Sequence, residues 1–157
     1  MNGAMNRVFE LACEADTVKL GAALARLARP GDVLLLAGTL GTGKSTLARA
    51  FIRALTDPFE EVPSPTFTLV QTYESDAGEI WHFDLYRLEK PDDSWELGIE
   101  DAFVDGICLI EWPDRLGPLV PRRRLEVTLE SGEAEGSRRA TLTPVHQWDD
   151  RLGDLDP

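Results

Sequence analysis

The chain has 157 residues, 43% of them hydrophobic, which suits one domain, residues 1–157, with a buried core. Sixteen basic against 28 acidic residues give a net charge of −12, which argues against a protein that grips nucleic acid unaided, since that affinity comes from Lys and Arg. No apolar run is long enough to span a bilayer, and the polar start Met1–Arg7 lacks the apolar centre of a signal peptide, so the chain reads as cytoplasmic with no membrane partner.

Residues 7–13 read as a first strand. Asp16-Thr17 offers an N-cap for a helix over Val18–Ala28, where Leu20, Leu24 and Leu27 share one face. Pro30-Gly31-Asp32 stops that helix and turns the chain. The apolar run Val33–Ala37 follows, and then Gly38-Thr39-Leu40-Gly41-Thr42-Gly43-Lys44-Ser45. Glycine, four residues, then Gly-Lys-Ser is the Walker A phosphate loop. Its glycines let consecutive backbone N–H groups turn inward around an anion. The helix that opens inside it, Lys44–Leu55, aims its positive end at the same phosphates. Lys44 is placed to reach the β- and γ-phosphates and Ser45 to hold Mg²⁺. A glycine-rich turn without function would not account for Lys-Ser at the required offset. Gly38 through Thr46 is therefore the candidate nucleotide-binding run.

Val62–Phe67 has prolines on both sides of Ser64 and is stiff and extended. Thr66 either supplies a switch hydroxyl that senses Mg²⁺ or the γ-phosphate, or simply starts the next strand. Thr66–Glu74 and Glu79–Tyr86 alternate and read as an antiparallel hairpin around Ser75–Gly78. On the second strand Ile80, His82 and Asp84 face one way, and Trp81, Phe83 and Leu85 the other. Short helical pieces occupy residues 91–103, broken at Gly98. Gly106–Trp112 is an apolar run that ends in a carboxylate, Glu111, and is stopped by Pro113. Two strands, 122–130 and 137–143, form a second hairpin, and the acidic tail 148–157 reads as loose.

A phosphate-loop enzyme needs a second anchor for Mg²⁺, an acid at the end of an apolar strand. Asp84 and Glu111 both qualify, because ligands sit at the carboxyl ends of parallel strands. The alternative for each is pairing with an arginine, such as Arg87 for Asp84. His82 either orients a carboxylate or water, or is a satisfied core residue. Trp112 packs near the nucleotide or against the ordinary core. Arg122-Arg123-Arg124 is a solvated strand start or a docking patch. Cys108, in an apolar run, reads as a reduced core thiol; neither it nor Cys13 has metal-site spacing.

Taken in order, Gly38–Thr46, Ser64-Pro65-Thr66-Phe67-Thr68-Leu69-Val70, His82-Phe83-Asp84-Leu85-Tyr86-Arg87 and Ile110-Glu111-Trp112-Pro113 resemble the bacterial TsaE (YjeE) ATPases. Gly98-Ile99, Asp101 and Phe103 fit as well. The resemblance implies an α/β, phosphate-loop NTPase-like three-layer fold with a mixed, mostly parallel sheet and antiparallel hairpins. It implies binding and slow hydrolysis of MgATP, exercised with TsaD and TsaB, which carry out threonylcarbamoyladenosine formation at position 37 of tRNAs reading A-starting codons. Contact with tRNA would run mainly through those partners. By motif match Ser45, Asp84 and Glu111 form the magnesium set, Thr66 is the switch residue and Thr17 lies near the base. Lys44, Asp84, Glu111 and Thr66 are the expected catalytic group, with Asp84 and Thr66 as candidates to orient water. Two positions depart from the family pattern: Thr39 stands where an acid is common, and Ser45 where Thr is usual. The alternatives are a small-molecule kinase, for which no arginine-bearing lid is evident, and a nucleotide sensor without turnover.

Overall fold

The computed structural model describes residues 6–39 and 41–157; Leu40 of the phosphate loop and the first five residues lie outside these. The elements in chain order are β1 (Arg7–Leu11), α1 (Glu14–Leu27), β2 (Val33–Ala37), α2 (Lys44–Leu55), β3 (Val70–Tyr73), β4 (Ile80–Asp84), α3 (Ile99–Asp105), β5 (Ile107–Glu111), β6 (Arg124–Ser131) and β7 (Arg138–Val145). Short 3-10 segments cover Pro91–Leu97, Pro113–Leu119 and Arg151–Asp154.

Among the described residues seven strands form one sheet in the order β1-β7-β6-β2-β5-β4-β3. The four inner strands β6, β2, β5 and β4 are parallel, and β1, β7 and β3 join antiparallel at the flanks. This is the mixed sheet with hairpins expected from the sequence. The parallel strands β2 and β5 are near-continuous apolar runs because both faces of the sheet are covered. Alternate residues divide between two cores. Leu34, Leu36, Ile80, Ile107 and Leu109 pack with Leu20, Leu24, Leu47 and Phe51 of α1 and α2. Val33, Leu35, Phe83, Cys108 and Ile110 pack on the other face with Ile99, Ala102 and Leu116. The result is three layers with helices on both sides.

Strand ends shift by a few residues from the sequence reading, and three differences are larger. Helix α1 begins at Glu14 rather than Val18. Asp16, taken above as part of a cap, lies inside the first turn and accepts the Ala12 N–H at 2.9 Å, where an acid suits the helix dipole. Strand β3 begins at Val70, not Thr66. Leu69 is left-handed (φ 68) and its N–H closes a turn on the Pro65 carbonyl at 2.6 Å, so the stretch ahead of it cannot pair as a strand. The third difference is the acidic tail, which is packed down. Trp148, Leu152 and Leu155 are buried in the core that holds α1 and α2.

A buried ion pair fixes that tail. Both nitrogens of the Arg151 fork bond Asp32, at 2.7 and 2.8 Å, and Nη1 also donates to the Leu27 carbonyl at the end of α1. The Asp32 side chain is 3% exposed, so losing its partner would strand a buried charge. Arg151→Ala is expected to lower unfolding free energy by about 3 kcal/mol, read as a drop in the urea midpoint with an unchanged slope.

Candidate nucleotide and magnesium site

Strand β2 ends at Ala37 and α2 opens at Lys44, and the turn between them is built on glycine. Gly38 has φ 139, and a Cβ there would run into the carbonyl of Leu129 on the neighbouring strand. Gly43 has φ 101 and leads directly into the helix, whose first bond runs from Leu47 N–H to the Gly43 carbonyl at 2.9 Å. Thr42 Oγ1 braces the loop by donating to the Thr39 carbonyl at 2.7 Å. Lys44 lies back along the loop: Nζ donates to the Gly38 carbonyl at 2.5 Å and sits 3.6 Å from the centre of the Trp112 ring. Burial lowers its pKa, while the charges of Glu111, Asp84 and Asp114 pull it the other way.

The two carboxylates are lateral neighbours. In the β4–β5 ladder Asp84 stands opposite Glu111, and in β2–β5 Leu36 stands opposite Glu111. Both acids therefore sit at the carboxyl ends of parallel strands, beside the exit of β2 into the loop. Glu111 Oε1 accepts the Ser45 hydroxyl at 3.1 Å, and Oε2 lies 2.7 Å from His82 Nε2. Asp84 Oδ1 accepts the Tyr86 N–H at 3.0 Å, and Oδ2 accepts the Thr66 hydroxyl at 3.1 Å. Thr66 Oγ1 is in turn 2.7 Å from Ser64 Oγ. Among the described residues no Lys or Arg forms a salt bridge with either acid. The possible Arg87 partner of Asp84 instead stacks its guanidinium 4.5 Å over the Phe67 ring.

Ser45, Asp84 and Glu111 thus present one hydroxyl and two carboxylates, the hard oxygen donors that Mg²⁺ takes. Among the described residues no three His, Cys, Asp or Glu side chains gather closely enough to hold a metal by themselves. The donor set would suit Mg²⁺, which needs few protein oxygens because it keeps water and substrate phosphate as further ligands.

A cavity of about 450 Å³ opens over these groups. Of the sequence candidates Thr17, Gly41, Gly43, Lys44, Ser45, Thr46, Thr66, Asp84, Glu111 and Trp112 line it. Gly38, Thr39 and Thr42 form the loop behind them. Sequence reasoning missed four residues of the wall: Glu14, Ser64, Gly136 and Arg138. Arg138 comes from the β6–β7 hairpin and donates to the Gly41 carbonyl at 2.8 Å. Arg122, Arg123 and Arg124 do not line this cavity, and Arg124 pairs with Glu126 at 2.7 Å. Among the described residues no helix is long and apolar enough to cross a membrane.

A glycine loop between a buried strand and a helix, facing two strand-end carboxylates, defines a phosphate-loop, NTPase-like α/β protein. A family model described as "Threonylcarbamoyl adenosine biosynthesis protein TsaE" matches residues 11–140, and the chain belongs to the TsaE family. It is 40% identical over 118 residues to the tRNA threonylcarbamoyladenosine biosynthesis protein TsaE of Rickettsia conorii, covering 75% of this chain and 67% of that one. The protein of the same name from Nostoc is 39% identical over 147 residues, covering 90% and 88%. That of Bacillus subtilis is 35% identical over 131 residues, covering 83% and 80%. Among solved structures, Bacillus subtilis YdiB superposes with a TM-score of 0.75 at 25% identity, covering 99% of this chain and 94% of that one.

Gly38→Ala tests the loop. The added methyl strains the loop by about 1–3 kcal/mol, and the affinity for a fluorescent ATP analogue is expected to fall about tenfold, measured by equilibrium titration.

Proposed function

We propose that the chain is an ATP-binding, slowly hydrolysing, Mg²⁺-dependent ATPase subunit. It is required for threonylcarbamoyladenosine formation at position 37 of tRNAs reading A-starting codons, and it acts with TsaD and TsaB in the cytoplasm. The observation that carries this reading is the convergence of Ser45, Asp84 and Glu111 on the phosphate loop in a chain that belongs to the TsaE family.

Lys44 and the loop amides hold the β- and γ-phosphates. Ser45, Asp84 and Glu111 hold the ion, which when bound neutralises charge that develops on the phosphate oxygens. Thr66, tied to Asp84, acts as the switch hydroxyl, and the pair is placed to orient the attacking water. Thr17 and Trp112 line the rest of the pocket. Catalysis comes from positioning and charge stabilisation, with no covalent step on the protein. The net charge of −12 supports a role in which the partners, rather than this chain, hold tRNA.

Lys44→Ala is expected to abolish both ATP retention and phosphate release. Glu111→Ala is expected to keep some binding and lose hydrolysis; intact hydrolysis in that variant would remove Glu111 from the site. Pull-down with TsaD and TsaB, with and without ATP, tests the partnership. Stimulation of inorganic phosphate release by the partners supports the reading, whereas transfer of phosphate to a metabolite without partner stimulation overturns it in favour of a kinase.

A further inference from the structure

His82 is buried, 2% exposed, and is not part of the cavity wall. It lies on β4 two residues before Asp84, so the strand's alternation puts both side chains on one face. In the β4–β5 ladder His82 stands opposite Leu109 and Asp84 opposite Glu111. Glu111 is therefore the diagonal neighbour of His82 on that same face, and Nε2 meets Oε2 at 2.7 Å.

The chemistry of the carboxylate identifies the donor. Nδ1 is buried and has no hydrogen-bond partner among the described residues. Glu111, as an ionised carboxylate, only accepts. The N–H accordingly sits on Nε2 and points at Oε2. Such a bond to a charged acceptor is short and strong. A free glutamate has several rotamers and a broad terminal torsion. With Oε2 held by His82, Oε1 is the oxygen presented to Ser45.

We propose that His82 is a positioning residue that acts through Glu111: it fixes the carboxylate so that one defined oxygen serves Ser45 and the magnesium ion. This rests on the placement of Glu111 in the magnesium site. An outer partner of this kind orients a metal-binding carboxylate without touching the metal. A histidine that merely filled the core would contribute to stability and leave magnesium binding alone.

The test compares His82→Gln, whose amide nitrogen reaches toward the Nε2 position, with His82→Asn, whose amide falls short of Glu111. Both are set beside Glu111→Gln and the double variant H82N/E111Q. The readouts are the dissociation constant of a fluorescent ATP analogue in EDTA and in Mg²⁺, the kcat for phosphate release with partners, and the thermal midpoint. His82→Asn is expected to leave the EDTA value within about twofold and to cut the gain conferred by Mg²⁺ about tenfold, with a matching fall in kcat. His82→Gln is expected to recover most of that gain, and H82N/E111Q to be no worse than E111Q. The proposal is overturned if H82N keeps the full Mg²⁺ gain while E111Q loses it. It is equally overturned if H82Q is as impaired as H82N, or if H82N and E111Q losses add. If E111Q itself keeps the full gain, Glu111 is not in the magnesium site and the underlying reading falls with it.

Discussion

A carboxylate at the end of a fully buried strand has to be answered by hydrogen-bond donors. Glu111 is 2% exposed, and every residue of β5 is buried. Its charge would be prohibitively costly without partners. The answer comes from two directions: a hydroxyl on the first turn of α2 and an imidazole on β4. Each donor is in place only because something larger is. Ser45 arrives because the chain turns from β2 into α2 through a left-handed glycine. His82 arrives because β4 pairs with β5 in one register. A slip of one residue would turn His82 and Asp84 to the opposite face. The register of two strands and the start of one helix are thereby locked to a single side chain.

The same corner gathers positive charge in an otherwise acidic protein. Lys44 is held by the Gly38 carbonyl and the Trp112 ring, and burial works against its charge while three nearby carboxylates support it. Its positive charge is therefore local, surrounded by acids and confined to the loop. A glycine loop of this kind suits an anion whatever the field elsewhere on the surface. Arg138, also in the cavity wall, adds a second cation and donates to the Gly41 carbonyl.

Legibility in the sequence followed locality. The phosphate loop was readable because its function needs contiguous residues in one order. Asp84 and Glu111 were readable because an acid closing an apolar run is conspicuous. Thr66 could be named, but its bond to Asp84 depends on a loop folding back over the sheet. Glu14 and Arg138 were invisible for the same reason, since nothing near them in sequence refers to the loop they approach. Cys13 at the head of α1 hid the true helix start, because Asp16 and Thr17 looked like better caps. The tail concealed a usable clue. Trp148, Leu152 and Leu155 are four and three residues apart, the spacing of one helical face, but acidic and glycine neighbours masked it.

The strand order also has a consequence for how this protein is made. β2 carries the loop, yet both of its sheet neighbours, β5 and β6, lie far downstream of it. β1 waits longer still, because its partner is β7. Until those strands leave the ribosome, the nascent chain holds a phosphate loop with no seat and apolar strands with unpaired edges, a form prone to wrong association. The tail closes behind them, with Arg151 on Asp32, Arg7 on the Leu152 carbonyl and Arg26 on the Asp156 carbonyl. The loop and the strand-end carboxylate beside it can thus come together only after β5 has been made, and a chain cut short of β6 would leave one edge of β2 open.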